Sequence, residues 1–186
     1  MKTVGAIKAK SQIEKMKEFL QNHSIRDYCL FLLGINTGIK LQELLHLRVY
    51  EVRNNHGEIL EFLSLPLYTN PPVYLNDHLR CTLKKYIAEN PLIDTDYLFK
   101  SRKTNEPISR QQAYRIIHAA AKEAGIEASV GMTTLRKTFG YHAYTNGIAI
   151  SLIQKRLHHS SPSETMHFIG INNQSEHIQI RLNIDL

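Results

Sequence analysis

Residues 132–171 read MTTLRKTFGYHAYTNGIAISLIQKRLHHSSPSETMHFIGI. Apolar residues recur in this stretch at helical spacing, and the pattern breaks at Gly147, near His159 and near Gly170. The stretch therefore predicts a series of short helices separated by turns. The turn after the second of these helices carries His159, Ser160 and Ser161.

Upstream, the same spacing predicts three more helices. Ser11 is the expected cap of the first, which runs to about Asn22. Ser24, with Asp27 three residues later, resembles a capping box for a second and more apolar helix that ends near Thr37-Gly38. The apolar residues of the first helix and of a short third one are Ile13, Met16, Phe19, Leu20, Leu41, Leu44, Leu45 and Leu47.

The middle of the chain changes period. The stretch 54–57 (NNHG) predicts a turn, and Ile59–Leu65 and Val73–Leu75 predict two strands. Asn76 is the expected cap of a helix to about Glu89. After Pro107 and Ser109, a helix is expected from about Arg110 to Ala124, stopped by Gly125. The sequence thus predicts one mainly α domain over 1–186 with a small antiparallel β-sheet.

Composition agrees with such a domain. A chain of 186 residues with 42% hydrophobic residues can bury one sizeable core. The apolar run from Cys29 to Leu33 is too short to span a bilayer, and the N-terminus lacks the pattern of a signal peptide. Cys29 and Cys81 both fall in predicted helices, which favours buried reduced thiols and a cytoplasmic protein. The net charge of +6 is compatible with a polyanionic partner.

Two separated motifs resemble the tyrosine recombinase, or phage integrase, family. Residues 31–52 read FLLGINTGIKLQELLHLRVYEV, where Thr37, Gly38 and Glu43 match the family's first box. In the second box, Arg136 and the turn at His159 match in order and spacing, and Phe168 stands where the family has its nucleophilic tyrosine. The resemblance spans nearly the whole chain and implies the family's catalytic-domain fold. The separate N-terminal core-binding domain of most members is expected to be absent, because only about ten residues precede the first predicted helix.

The resemblance implies a degenerate active site. The family cleaves and rejoins DNA by attack of a tyrosine on a phosphate, whose developing charge is held by arginine and histidine donors. The corresponding positions here are Lys40, Thr133, Arg136, His159 and Phe168. Lys40 replaces an arginine and Thr133 a histidine. Between Lys40 and Lys84 there is no lysine, so the predicted hairpin cannot supply the family's general acid.

Other chemistries have weaker support. In a helix, His167 points about 100° away from Phe168 and is expected to be exposed or capping. Ser160 and Ser161 are expected to cap a helix rather than to attack a phosphate. The histidines His142, His158, His159 and His167 match no usual zinc spacing, so neither a metal nor a cofactor is expected.

A DNA-reading surface is expected on the helix from Arg110. Its apolar face carries Ala113, Ile116, Ile117, Ala120 and Ala124, and its opposite face carries Gln111, Arg115, His118 and Lys122. Such a polar face is either solvated or able to read bases in a major groove. Arg102, Lys103 and Arg110 are candidates for flanking phosphates, and Lys40, Arg136 and His159 for a phosphate pocket. Arg136 has an alternative role in an ion pair with Glu43 or another core carboxylate.

Three functions follow as hypotheses. The favoured one is a protein that binds double-stranded DNA and cannot cleave it by the tyrosine route, with a regulatory, accessory or remnant role. The second is a recombinase or integrase with an unusual nucleophile or with a partner's tyrosine. The third is a protein-interaction module without a DNA role. The segment 170–186 is a candidate for self-association or for contact with a related recombinase.

Overall fold

A computed structural model describes residues 4–65, 72–131 and 133–171. The described helices are α1 Lys10–His23, α2 Ile25–Thr37, α3 Leu41–His46, α4 Val49–Val52, α5 Asp77–Glu89, α6 Arg110–Glu123, α7 Thr134–Thr145, α8 Ile150–Leu157 and α9 Pro162–Ile169. Two short strands, β1 Phe62–Leu63 and β2 Val73–Tyr74, pair antiparallel, with Phe62 opposite Tyr74 and Leu63 opposite Val73. The predicted fold class, mainly α with a small antiparallel sheet, is confirmed.

The core is built around α2. Its residues from Tyr28 to Gly34 are all buried, and the helix packs against α1, α5 and α7. A helix that is apolar on every side is stable only when other elements surround it. Because α2 is enclosed in this way, its C-terminal end at Thr37 is a fixed point for the turn that follows. Gly38 makes that turn with φ 68°, a left-handed conformation that glycine adopts without strain.

Most predicted helix starts are confirmed by their caps. Asn76 accepts a hydrogen bond from the Leu79 N–H at 2.9 Å, and Ser109 accepts one from Gln112 at 3.2 Å. Ser24 accepts from the Asp27 N–H, but the Asp27 carboxylate bonds Arg26, so only half of the expected capping box forms.

Three local predictions are wrong. Ser11 does not cap α1, which begins one residue before it, with Ala9 at the cap position. The predicted strands 59–65 and 73–75 are ordered as strands only at two residues each. Cys29 is buried, but Cys81 lies on the exposed side of α5, and both thiols are free.

A second, smaller hydrophobic cluster holds α7, α8 and α9 together. Its buried members are Ile153, Leu157 and Ile169, and Phe139, Met166 and Phe168 pack against them. Gly140 of α7 lies so close to α9 that a Cβ there would come within 2.6 Å of Ile169 Cγ2. The close approach of these helices sets the position of the residue that precedes Ile169, which is Phe168.

Residues 4–8 form a strap over α7. The Ile7 N–H donates to Thr138 Oγ1 at 2.9 Å, and Lys137 Nζ donates to the Val4 carbonyl at 2.8 Å. Lys8 Nζ reaches the Gly170 carbonyl at the end of α9. The strap therefore ties the N-terminal residues to α7 and to the end of α9.

In the parts of the chain that the structure describes, no helix is both long and apolar enough to cross a membrane.

Candidate functional site

Arg136 links two turns that are far apart in sequence. Its Nε donates to the Gly38 carbonyl at 3.0 Å and its Nη2 to the Leu157 carbonyl at 2.6 Å. Both acceptors are carbonyls at helix ends, where a cation is favourable. The guanidinium is half-buried and held in a fixed orientation. These two carbonyls position Arg136. The sequence also allowed an ion pair between Arg136 and Glu43, and Oε1 of the Glu43 carboxylate accepts no hydrogen bond.

Lys40 lies at the start of α3, two residues after Gly38. Its backbone N–H donates to Glu43 Oε2 at 3.1 Å, which fixes the turn between α2 and α3. Burial lowers the pKa of His158, and the positive charge of the nearby Lys40 adds to the shift. The structure therefore brings Lys40, Arg136 and the turn after α8 together.

His159 is oriented by its neighbours in the turn. The backbone N–H of His159 donates to the backbone carbonyl of Gln154, and the ring nitrogen Nδ1 lies 3.1 Å from Thr165 Oγ1. The Thr165 hydroxyl donates its proton to the Ser161 carbonyl, so the bond from His159 has Nδ1–H as the donor. Burial, together with the charge of Arg136, lowers the pKa of His159 below its usual value, although Glu164 opposes the shift. In its neutral form His159 therefore carries the lone pair on Nε2.

Phe168 lies against both His159 and Arg136. Its ring centroid is 4.7 Å from that of His159 and 5.6 Å from the guanidinium carbon of Arg136. Lys137 Nζ is 5.2 Å from the same ring centroid. The ring is half-buried, and it belongs to the cluster formed by α7, α8 and α9. The residue at the predicted nucleophile position is thus packed into the site.

Of the two serines predicted to cap a helix, Ser161 caps α9 and Ser160 does not. Ser161 accepts from the Glu164 N–H at 3.1 Å at the start of α9, and Ser160 Oγ donates to Glu164 Oε2 at 2.7 Å. These bonds lower the pKa of Glu164, the largest contribution coming from the Ser160 side chain. His167 is exposed in the last turn of α9. Within the described residues no three His, Cys, Asp or Glu side chains form a possible metal site.

The remaining predicted residues are placed as follows. Thr133 is exposed at the start of α7 and its side chain makes no capping bond. Arg102 and Lys103 lie exposed in the loop before α6. On α6 the exposed predicted residues are Arg110, Gln111, Arg115, His118 and Lys122, while Ala113, Ile117, Ala120 and Ala124 are buried. The segment predicted to associate with another subunit lies outside the described residues from position 172 onward.

Sequence reasoning missed two cations of the site. Arg156, in the last turn of α8, donates to the Pro72 carbonyl beside β2, and burial lowers its pKa. Lys137 is near Phe168 because the strap residue Val4 accepts a hydrogen bond from it. The basic residues at the end of α8 were a visible signal for Arg156. No pattern in the sequence indicated the contact between Lys137 and the strap.

Comparison with known proteins places this geometry in one family. Residues 8–175 match the phage integrase family. The chain is 38% identical over 172 residues to the probable integrase/recombinase YoeC of Bacillus subtilis (strain 168), a match that covers 92% of each protein.

Solved structures share the fold. The XerA recombinase superposes with a TM-score of 0.76 at 23% identity, over 91% of this chain and 60% of that one. The XerH site-specific recombinase, bound to its palindromic difH substrate after cleavage, gives 0.74 at 20% identity, over 94% and 51%. The two boxes, the helical order and these matches agree, and the chain therefore belongs to the phage integrase family of tyrosine recombinases.

Proposed function

We propose that the chain binds double-stranded DNA and does not cleave it by the tyrosine mechanism, acting in a regulatory or accessory role. The observation that carries this proposal is the contact of Phe168 with His159 and Arg136. Arg136 and His159 match the family positions that hold the phosphate, and the aromatic side chain beside them has no nucleophilic atom.

Binding of a phosphate is supported by the charge and rigidity of the site. The Arg136 guanidinium is fixed by two carbonyls, and Lys40, Lys137 and Arg156 are its cationic neighbours. Preoriented donors bind an anion without the entropic cost of ordering them. The net charge of +6 provides a favourable long-range attraction to DNA. The related XerH recombinase has been solved with its DNA substrate, which supports DNA as the partner.

Inability to cleave is supported by changes at several catalytic positions, whose costs in rate do not simply add. Removing the nucleophile of a covalent mechanism costs about 10⁶ in rate. Lys40 offers a point charge in place of the two-pronged guanidinium of an arginine. Thr133 cannot replace an imidazole donor, and loss of one such donor costs about 10²–10³. The hairpin has no lysine to protonate the leaving oxygen, and a general acid contributes about 10²–10⁴.

The other hydroxyls of the turn are poor replacements for the tyrosine. Ser160 donates its proton to Glu164, and a carboxylate whose pKa is lowered is a weak base. Ser161 is engaged in capping α9. His167 is exposed on the last turn of α9, whereas Phe168 packs into the cluster. These contacts favour the binding role over the enzyme with an unusual nucleophile.

A nicked duplex tests the proposal. The protein is first used to select bound sequences from a pool of duplexes with 20 randomised base pairs. A nick is then placed beside each phosphate of a selected sequence, so that any covalent intermediate is trapped. We expect salt-dependent binding and no covalent protein–DNA band on a denaturing gel.

Each alternative has its own signature. A covalent band from the unaltered protein contradicts the proposal and supports an unusual nucleophile. A band that forms only when a related recombinase is added supports use of a partner's tyrosine. Binding that is independent of salt, or no enrichment of any duplex, supports a protein-interaction module instead.

A further inference from the structure

We infer that Tyr114 and His118, an aromatic pair on α6, contact the methyl groups of thymines in the bound DNA. The inference rests on the proposed DNA binding, and it adds the kind of base that one side of the helix selects. Sequence reasoning assigned His118 to the polar face and did not include Tyr114 in the surface at all.

The two aromatic rings form one exposed surface. Tyr114 and His118 are one turn apart, with ring centroids 5.5 Å apart and planes tilted by 33°. Tyr114 is 39% exposed, so part of its ring is accessible to a bound molecule. Successive helical positions differ by about 100°, so Tyr114 lies between the buried face of α6 and the face with Gln111 and Arg115.

This surface is adjacent to the phosphate pocket. Tyr114 lines a small cavity together with Leu41 and Leu135. Leu41 directly follows Lys40, and Leu135 directly precedes Arg136. Tyr114 therefore lies beside α3, which begins after Lys40, and beside α7, which carries Arg136. If a phosphate binds at Arg136, we expect the duplex to reach the exposed side of α6.

Major-groove chemistry determines what each part of that side can recognise. The groove is about 12 Å wide and admits an α-helix. Gln111 and Arg115 carry donors that suit adenine and guanine edges. An aromatic ring face has no such donor pair, and the thymine methyl is the apolar group that a major groove offers it. The aromatic pair therefore fits thymine, next to purines bound by the polar residues.

Replacement of thymine by uracil isolates the methyl group. Duplexes selected by the protein from the pool with 20 randomised base pairs are remade with uracil at one thymine at a time. Burying one methyl or methylene group contributes a factor of about four in affinity. We expect binding to weaken about four-fold at one or two thymine positions and to stay unchanged at the others.

Variants assign the effect to the pair. Tyr114→Ala should bind the thymine and uracil duplexes equally, and His118→Ala should reduce the difference between them. Tyr50→Ala, which removes an exposed tyrosine from α4, should retain the four-fold difference. Circular dichroism and a melting curve verify folding, and His118→Ala, at an exposed position, decides the question if Tyr114→Ala does not fold.

The outcomes separate this inference from the proposed function. If the unaltered protein binds DNA but every uracil duplex binds as tightly as its thymine parent, the inference is wrong and the DNA-binding proposal stands. An undiminished difference in both Tyr114→Ala and His118→Ala assigns the methyl contact elsewhere. Failure of the protein to bind any duplex overturns both, and leaves the pair as a surface for another protein.

Discussion

The ring of Phe168 stands at 67° to the ring of His159, with their centroids 4.7 Å apart. Arg136 and Lys137 approach the same phenyl ring at 5.6 Å and 5.2 Å. Edge-to-face contacts between rings and contacts between cations and rings are both favourable. The aromatic ring therefore helps to hold the cationic residues in place, a role that needs no hydroxyl.

The first prediction concerns restoration of the tyrosine. Phe168→Tyr should fold and bind DNA as the unaltered protein does, because the ring keeps its contacts. It should still form no covalent band on the nicked duplex, because Lys40, Thr133 and the hairpin still lack the family's donors and acid. The measurement is the denaturing gel described above, with Phe168→Leu as a control that removes the ring. Robust cleavage by the single variant would show that those other positions matter less than we argue.

The second prediction distinguishes Arg136, which stabilises the fold, from Arg115, which is exposed on the surface. Arg136→Ala removes two charge-assisted hydrogen bonds, each of which contributes about 1.5–3 kcal/mol to stability. We expect a lower melting temperature, weaker DNA binding, and a slope of log affinity against log salt that is smaller by about one unit.

Arg115→Ala is the matched control. Arg115 is exposed on α6, so this variant should change DNA binding with a melting shift close to zero. If Arg136→Ala and Arg115→Ala were equally stable, the link between the Gly38 and Leu157 turns would be less important than the distances indicate.

Much of the helical framework was predictable because local signals and packing agree. Asn76 and Ser109 each precede an apolar helical repeat, and both cap their helices. Ser11 failed as a cap because the chain enters α1 one residue earlier, from the strap. The helix α4 was missed because its four residues are too few to show a period.

Contacts across the fold were not predictable in the same way. The roles of Lys137 and Arg156 depend on Val4 and Pro72, which lie 133 and 84 residues away. Tyr114 was missed for the same reason, since only the fold brings it beside Leu41 and Leu135. A repeat along one helix shows which face is polar, but it does not show what that face adjoins.

The third prediction concerns pH and stability. Burial and nearby cations lower the pKa values of His158 and His159 in the folded protein. The two histidines therefore bind protons more readily in the unfolded chain than in the folded one. Their contribution to the free energy of unfolding is present above the unfolded-state pKa near 6.5, and it is lost as the pH falls through their folded-state pKa values. Urea unfolding at pH 7.5 and pH 5.5 measures the loss. His159→Asn keeps a donor toward Thr165 and should show a smaller loss than the unaltered protein.

Binding of DNA should reverse the direction of this effect. A phosphate oxygen is an acceptor, and the neutral His159 offers it only the Nε2 lone pair, so contact requires protonation. A bound phosphate therefore raises the pKa of His159, and DNA affinity should increase as the pH falls from 8 to 6. The affinity of His159→Asn should depend less on pH. Equal pH dependence of the two proteins would mean that His159 does not contact the phosphate.

The fourth prediction tests the packing that positions Phe168. A Cβ at Gly140 would lie 2.6 Å from Ile169 Cγ2 and 3.1 Å from Leu157 Cδ1, within the buried cluster of α7, α8 and α9. Alanine favours a helix over glycine by about 1 kcal/mol, and overpacking a tight core costs about 1–3 kcal/mol. A contact of 2.6 Å is shorter than Cβ atoms make in folded proteins. We therefore expect the steric cost to exceed the gain in helix propensity, so that Gly140→Ala lowers the free energy of unfolding measured in urea. Gly5→Ala, with open space around its Cβ, should change that free energy by less than about 0.5 kcal/mol. A stabilised Gly140→Ala would show that α9 can move away from α7 at little cost, and the fixed placement of Phe168 against His159 would then no longer follow from packing.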